Sequence, residues 1–312
     1  MTEFGFESTT DEVLDGIDLT GRHILVTGAS AGLGLETTRA LAAHGAAVTM
    51  AVRDLTKGAA AMEEVLAAVP DADVDVRPLD LADLSSIRTF AHGFVDDHPR
   101  LDVLICNAGV MACPQGTTVD GFETQFGTNH LGHFLLIQLL TPSLVATGHA
   151  RVVLLSSSGH RFSDVDLDDP GFERQPYDAW QAYGRSKTAN VLCAVALDER
   201  LRDQGVRAFA VHPGGIATEL GRHLTDETLQ VLADRQAQSS ESIRWKTIPQ
   251  GAATTVWAAT TPTLEGAGGL YLENCGVAET STDPNAAAGV RSYALDPDRA
   301  RALWTLSERL VG

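Results

Sequence analysis

Residues 23–45 read HILVTGASAGLGLETTRALAAHG, and the fold turns on how they are read. A short apolar run, HILVTG, gives way to a Gly-rich turn, TGASAGLG (Thr27 to Gly34), and then to a helical stretch, LETTRALAAHG. Glycines at such a junction let the chain turn tightly. They also let backbone approach a pyrophosphate at the helix N-terminus, where free N–H groups point outward. A lone Gly-rich turn is weak evidence, since many strand-to-helix turns hold glycine for packing alone. The spacing is TGxxxGxG, which differs from the GxGxxG dinucleotide fingerprint.

The rest of the chain repeats the strand-to-helix alternation and gives the turn its weight. AAVTMAVR (46–53), VDVRPLD (74–80), LDVLICNAG (101–109), ARVVLLSSS (150–158) and VRAFAVHPG (206–214) are further apolar, β-rich runs. Longer helical stretches separate them, among them LTKGAAAMEEVLAAV, DLSSIRTFAHGFVDDH and a segment from about Ala179 to Asp203. GGLYLEN (268–274) is a candidate closing strand. Strands that are apolar throughout and separated by helices indicate a parallel sheet covered on both faces. The expected fold is therefore α/β, a single Rossmann-type doubly wound parallel sheet of about seven strands in one domain spanning 21–312. Residues 1–20 read as a mobile arm or edge decoration. The polar stretch of about 215–249, which lacks an obvious strand, reads as a substrate lid.

The formal net charge of −18 over 312 residues argues against a nucleic-acid partner, which requires a basic face. No run reaches the roughly 18 apolar residues of a membrane span, and the acidic first 21 residues lack the order of a signal peptide. Cys106, Cys113, Cys193 and Cys275 are scattered and form no CxxC pair. They read as reduced thiols, so a cytoplasmic protein is expected, without a disulfide framework or a bound metal.

In such folds the end of the second strand meets the adenosine ribose, where an acidic residue suits NAD and an arginine suits a 2′-phosphate. Here the sequence is AVRD: Arg53 favours NADP(H), with NAD(H) open because Asp54 is able to turn inward. Asp80 closes the third strand where it would meet the adenine; a helix cap before DLSS is the alternative. Tyr183 and Lys187, in YGRSK, share one face if the segment is helical.

With these motifs in place the chain resembles the short-chain dehydrogenase/reductase family from about Leu19 to Asn274. The motifs fall in the family's order: TGASAGLG, CNAG with Cys106 in place of an asparagine, TNHLGHF, VVLLSSSGH, YGRSK and HPGGIAT. NHLGHF, SSSGH and YGRSKTANVL are most similar to the retinol dehydrogenase-like branch and related hydroxysteroid dehydrogenase-like enzymes. The resemblance implies hydride transfer between a nicotinamide cofactor and a hydrophobic alcohol, ketone or aldehyde. Tyr183 would be the acid/base, Lys187 would favour its phenolate, Ser157 would polarise the substrate oxygen and Asn129 would hold a relay water. Ser157 is chosen as the second serine of its motif. For the cofactor, Gly28, Ser30, Gly32, Leu33 and Gly34 would form the first turn. Arg53, Asp80 and Leu81 would border the adenosine, and Asn107, Ala108 and Gly109 the next turn. Tyr183 and Lys187 would meet the nicotinamide ribose, and Pro213, Gly214, Ile216 and Thr218 the nicotinamide end.

His130 and His133 lack a third ligand and read as packing, and DVDLDD (164–169) lacks the glycine of a calcium loop. A non-catalytic NADP(H)-binding redox sensor is the alternative function. A sugar-nucleotide epimerase is disfavoured by the TGxxxGxG spacing. The resemblance leaves open a homo-dimer or tetramer built on the two long helices.

Overall fold

The structure is a computed structural model and describes residues 4–238, 244–283, 286 and 288–312. In chain order the elements are α1 (Thr10–Leu14), β1 (His23–Thr27), α2 (Gly32–Ala43), β2 (Ala47–Val52), α3 (Leu55–Ala68), β3 (Val74–Pro78), α4 (Leu84–Asp97) and β4 (Val103–Cys106). Next come α5 (Thr124–Phe126), a π-helical turn (Gly127–Leu131), α6 (Gly132–Thr147), β5 (Ala150–Leu155), α7 (Ala179–Leu201) and β6 (Val206–His212). The chain ends with α8 (Asp226–Gln238), α9 (Ile248–Thr260), β7 (Leu270–Glu273), β8 (Gly276–Val277), β9 (Thr280–Ser281), β10 (Val290–Arg291) and α10 (Pro297–Val311).

The main sheet has eight strands in the order β3-β2-β1-β4-β5-β6-β7-β8. Seven run parallel. The eighth, β8, returns antiparallel to β7, so the sheet exceeds the expected seven by one short edge strand. Side-chain alternation sends each strand into two separate cores. Leu25, Leu104, Val152 and Ala208 face α4, α6, α7 and α10. Ile24, Val26, Ile105 and Phe209 face α1, α2, α3 and α9. This two-sided burial is why the strands are apolar throughout rather than alternating.

From β1 the chain winds one way through β2 and β3, and from β4 it winds the other way. The switch leaves a crevice at the carboxyl ends of β1 and β4, where ligands bind in such sheets.

Two segments differ from their sequence reading. Residues 4–20 carry α1, whose Val13 and Leu14 are buried in the core beside α2 and α9. The stretch of about 215–249 read as a lid holds the helix α8 and closes where Ile248 begins α9, capped by Thr247 and packed into the sheet. Residues 239–243 of the lid lie outside the described residues.

Helix 124–147 is long and apolar enough to cross a membrane, but 67% of its apolar window is buried against the sheet and its neighbouring helices. The two long helices are also covered by α10, where Trp304 meets Phe134 edge-on and Ser307 bonds His130.

Candidate active site

The crevice opens into a cleft of about 2150 Å³. One end is the turn between β1 and α2. Helix α2 starts after Ala31, which has no side chain to cap it, so the first N–H groups face the cleft. Gly34 is obligatory here: a Cβ would meet the Gly28 carbonyl and, at 2.5 Å, the Asn107 amide. That amide donates to the carbonyls of Thr27 (2.8 Å) and Gly28 (3.2 Å) and so fixes the turn to the end of β4. Asn107 thus acts on the turn through its side chain, and together with Ala108 and Gly109 it borders the cleft. Cys106 is fully buried in the core, and the turn is secured one residue later.

Ser30, Gly32, Leu33, Arg53, Asp80, Leu81, Pro213, Gly214, Ile216 and Thr218 all border the same cleft. Arg53 is exposed at the tip of β2. Asp54 does not turn inward: its carboxylate caps α3, accepting from Thr56 N at 2.9 Å and Lys57 N at 3.1 Å. The helix cap before α4 is Asp83 rather than Asp80, whose carboxylate accepts from Ala82 N at 2.9 Å. Thr218 opens a short 3-10 turn, Glu219–His223, by capping Leu220 N.

The other end of the cleft holds the Tyr–Lys pair. Tyr183 and Lys187 stand one turn apart on α7, each 3% exposed. Among the three serines after β5, Ser156 donates to the Lys187 carbonyl at 2.9 Å, whereas the Ser157 hydroxyl pairs with Tyr183. The Ser157 oxygen also accepts from Gly159 N at 3.0 Å, which orients it. Gly159 is forced by this arrangement, since a Cβ there would lie 2.5 Å from the Tyr183 ring.

Lys187 Nζ donates to the Leu155 carbonyl at 3.0 Å and lies 5.6 Å from the centre of the Tyr183 ring. Asn129 sits in the π-helical turn, a wide-turn geometry frequent at functional sites. Its side chain is committed: Oδ1 accepts from Val110 N (2.8 Å), and Nδ2 donates to Val110 O and Ser186 Oγ, both at 2.9 Å. Ser186 in turn donates to the Tyr183 carbonyl at 2.8 Å.

The electrostatics depart from expectation. Burial pushes the Tyr183 hydroxyl up to about 12, with the Ser157 bond pulling the other way. Burial also pulls the Lys187 ammonium down to about 8. Loss of solvation therefore dominates at Tyr183 and favours the protonated form of its hydroxyl.

Three histidines brace the site, of which only His133 figures in the sequence reading, as packing. His133, pulled to about 4 by burial, donates Nδ1–H to the Asn129 carbonyl (2.9 Å) and accepts the Thr27 hydroxyl at Nε2 (2.9 Å). It thereby links the Gly-rich turn to Asn129. His160, pulled to about 3 by burial, donates Nδ1–H to the Ser157 carbonyl (2.7 Å) and accepts Arg291 N at Nε2 (3.1 Å). His212 Nδ1 accepts from Ser158 N (3.1 Å) and Gly214 N (3.4 Å), tying the loops after β5 and β6 together. One partner of each, Thr27, Arg291 and Ser158 respectively, is remote in sequence, so spacing carried no signal for those links. Among the described residues no three His, Cys, Asp or Glu side chains converge as a metal site requires.

A turn with open N–H groups, a Tyr–Lys–Ser cluster and one cleft joining them match a known arrangement, and comparison with other proteins agrees. The short chain dehydrogenase family matches residues 22–229. The chain belongs to that family. It is 41% identical over 303 residues to the short-chain dehydrogenase/reductase prx1 of Penicillium roqueforti, covering 95% of this chain and 87% of that one. It is 39% identical over 312 residues to the WW domain-containing oxidoreductase of Homo sapiens, covering 97% and 71%. A crystal structure of an uncharacterized protein from Mycobacterium paratuberculosis superposes with a TM-score of 0.72 at 37% identity, covering 96% of each chain. As a short-chain dehydrogenase/reductase the protein is an oxidoreductase, and its family binds NAD(P)(H). The uncapped N-terminus of α2 and the close-packed glycine turn suit the pyrophosphate of such a cofactor.

Proposed function

We propose that this member of the family is an NADP(H)-dependent carbonyl reductase and alcohol dehydrogenase acting on a bulky apolar substrate. Steroid-like, retinoid-like or aryl ketones and aldehydes, and their alcohols, are its candidate substrates, as in the retinol dehydrogenase-like and hydroxysteroid dehydrogenase-like branch. The reading includes a cytoplasmic setting. The observation that carries it is the Ser157–Tyr183 hydroxyl pair in the same cleft as the glycine turn.

In the direction of reduction, Ser157 and Tyr183 hydrogen-bond the substrate carbonyl oxygen from one side and polarise it. The reduced nicotinamide, when bound, supplies the hydride to the carbonyl carbon. Tyr183 delivers its proton to the oxygen as negative charge develops there. The resulting phenolate is stabilised by Lys187, whose ammonium lies 5.6 Å from the centre of the ring, until a proton returns. Oxidation of an alcohol runs through the same groups in reverse. The protonated state of Tyr183 suits reduction as the forward direction.

Arg53 supports NADP(H), because the neighbouring carboxylate that would repel a 2′-phosphate is spent on capping α3. Apolar side chains at the substrate end, among them Met111, Phe162, Trp180, Leu224 and Leu232, support a large apolar substrate.

The test is oxidation of NADPH and of NADH, followed by nicotinamide absorbance, against a panel of steroid, retinoid and aryl ketones, with Tyr183→Phe as the comparison. Wild-type turnover that falls roughly 10²- to 10⁴-fold in Tyr183→Phe, with cofactor binding retained, is the expected result. Tight NADPH binding without turnover of any substrate would favour the redox sensor instead.

A further inference from the structure

Trp180 lies three residues before Tyr183 on α7, so the two share a helix face. Its ring is 4% exposed and stands edge-on to Phe162 and Tyr183, with centroids 5.5 and 6.3 Å away. The indole N–H points away from both and donates to the Thr228 carbonyl at 3.1 Å, in the first turn of α8. Among the described residues no other hydrogen bond joins α8 to the sheet or its helices. The remaining attachment is apolar: Leu224, Val231 and Leu232 pack onto the cluster of Ala112, Trp180 and Tyr183. From this cluster Trp180, Tyr183, Phe162 and Leu224 line the cleft, and Leu229 and Leu232 line it from α8.

We propose that Trp180 is a specificity-determining positioning residue, whose indole N–H registers the lid helix α8 against Tyr183 and thereby admits substrates with a large apolar body. The inference rests on the reading under Proposed function. A small ketone reaches only Ser157 and Tyr183. A large one spans from them to Leu224 and Leu232, and its binding depends on where α8 sits. One residue therefore touches the tyrosine that moves the proton and the helix that selects the substrate.

Trp180→Phe keeps an aromatic ring and removes the donor, while Leu232→Ala loosens α8 from the lid side without touching α7. Two measurements on the full chain test the proposal. Hydrogen exchange of the amides of residues 226–234, read by mass spectrometry, is expected to accelerate in both variants. The ratio of kcat/KM for a polycyclic aryl ketone to that for a single-ring ketone is expected to fall in both, mainly through KM, and about fivefold in Trp180→Phe, as the loss of one neutral hydrogen bond would produce. Unchanged exchange in Trp180→Phe would overturn the latch. An unchanged ratio would overturn the role in specificity and leave Trp180 as packing for Tyr183. If wild type turns over neither ketone, the enzymatic reading fails, and the exchange experiment still decides whether Trp180 holds α8.

Discussion

The floor of the cleft and its roof are built differently. On the floor, Asn129, Ser186, His133 and His160 are 1% exposed or less, and their hydrogen bonds run between elements from one end of the cleft to the other. On the roof, Leu229 is 47% exposed and Trp245 64%, and α8 makes a single hydrogen bond to the body among the described residues. The floor must hold reacting atoms to within a fraction of an ångström. The roof has only to cover apolar surface, a non-directional task that tolerates movement. Substitutions of similar size should therefore have unequal consequences in the two regions.

The largest contrast is between two glycines. Gly159→Ala places a methyl group 2.5 Å from the Tyr183 ring, which is 3% exposed and packed edge-on against Trp180. Displacing the reacting hydroxyl in this way is expected to lower kcat roughly 10²-fold. Gly221→Ala on the roof meets only the end of Leu224, at 3.2 Å, which is free to turn aside. There kcat is expected to stay within about twofold. Equal losses would mean that the roof is as rigid as the floor. Single-turnover rates with saturating cofactor measure both.

Arg53 carries roof-like exposure at the cofactor end of the cleft. Arg53→Ala is expected to reduce the preference for NADPH over NADH by about 10- to 100-fold, the worth of charge-assisted bonds to a phosphate. The ratio of kcat/KM for the two cofactors reads it. A ratio unmoved by the substitution would assign the 2′-phosphate to another group.

Much of the cleft was legible in the sequence and some was not, for a definable reason. Tyr183 and Lys187 are neighbours by helix geometry alone, and the glycine turn announces itself between a strand and a helix. The parallel sheet covered on both faces follows from strands that are apolar throughout. By contrast, His160 matters because Arg291 lies beside it, His212 because Ser158 does, and Trp180 because Thr228 does. Such pairings exist only after folding. The upward shift of the Tyr183 hydroxyl was hidden from the sequence for a related reason. The sequence shows the charge beside the hydroxyl but not the burial of both, and burial dominates here.

The floor should also be the part that acid attacks. His133 and His160 are held neutral, at about 4 and about 3, against an unfolded value near ~6.5. Between the folded and unfolded values the unfolded chain binds more protons. The stability these groups contribute is thus complete above about pH 6.5 and is lost as pH falls toward 4. The thermal midpoint is expected to drop on the order of 10 °C between pH 7.5 and 5. The drop should be smaller in His133→Asn, which keeps a donor for the Asn129 carbonyl but no longer titrates. An identical drop in that variant would place the acid sensitivity elsewhere.

The smallest effect belongs to the roof. Leu229 borders the cleft from α8 yet is half exposed, so its side chain gives up little water-free contact when it is shortened. Leu229→Ala removes no hydrogen bond, leaves the Trp180–Thr228 contact in place and favours the helix by propensity. Only the part of its apolar surface that a large substrate covers is lost. KM for a polycyclic ketone is therefore expected to rise about two- to threefold with kcat unchanged, the pattern of an interaction made equally in the ground and transition states. A fall in kcat instead would show that α8 acts on the chemistry itself, and the division between a rigid floor and a forgiving roof would have to be abandoned.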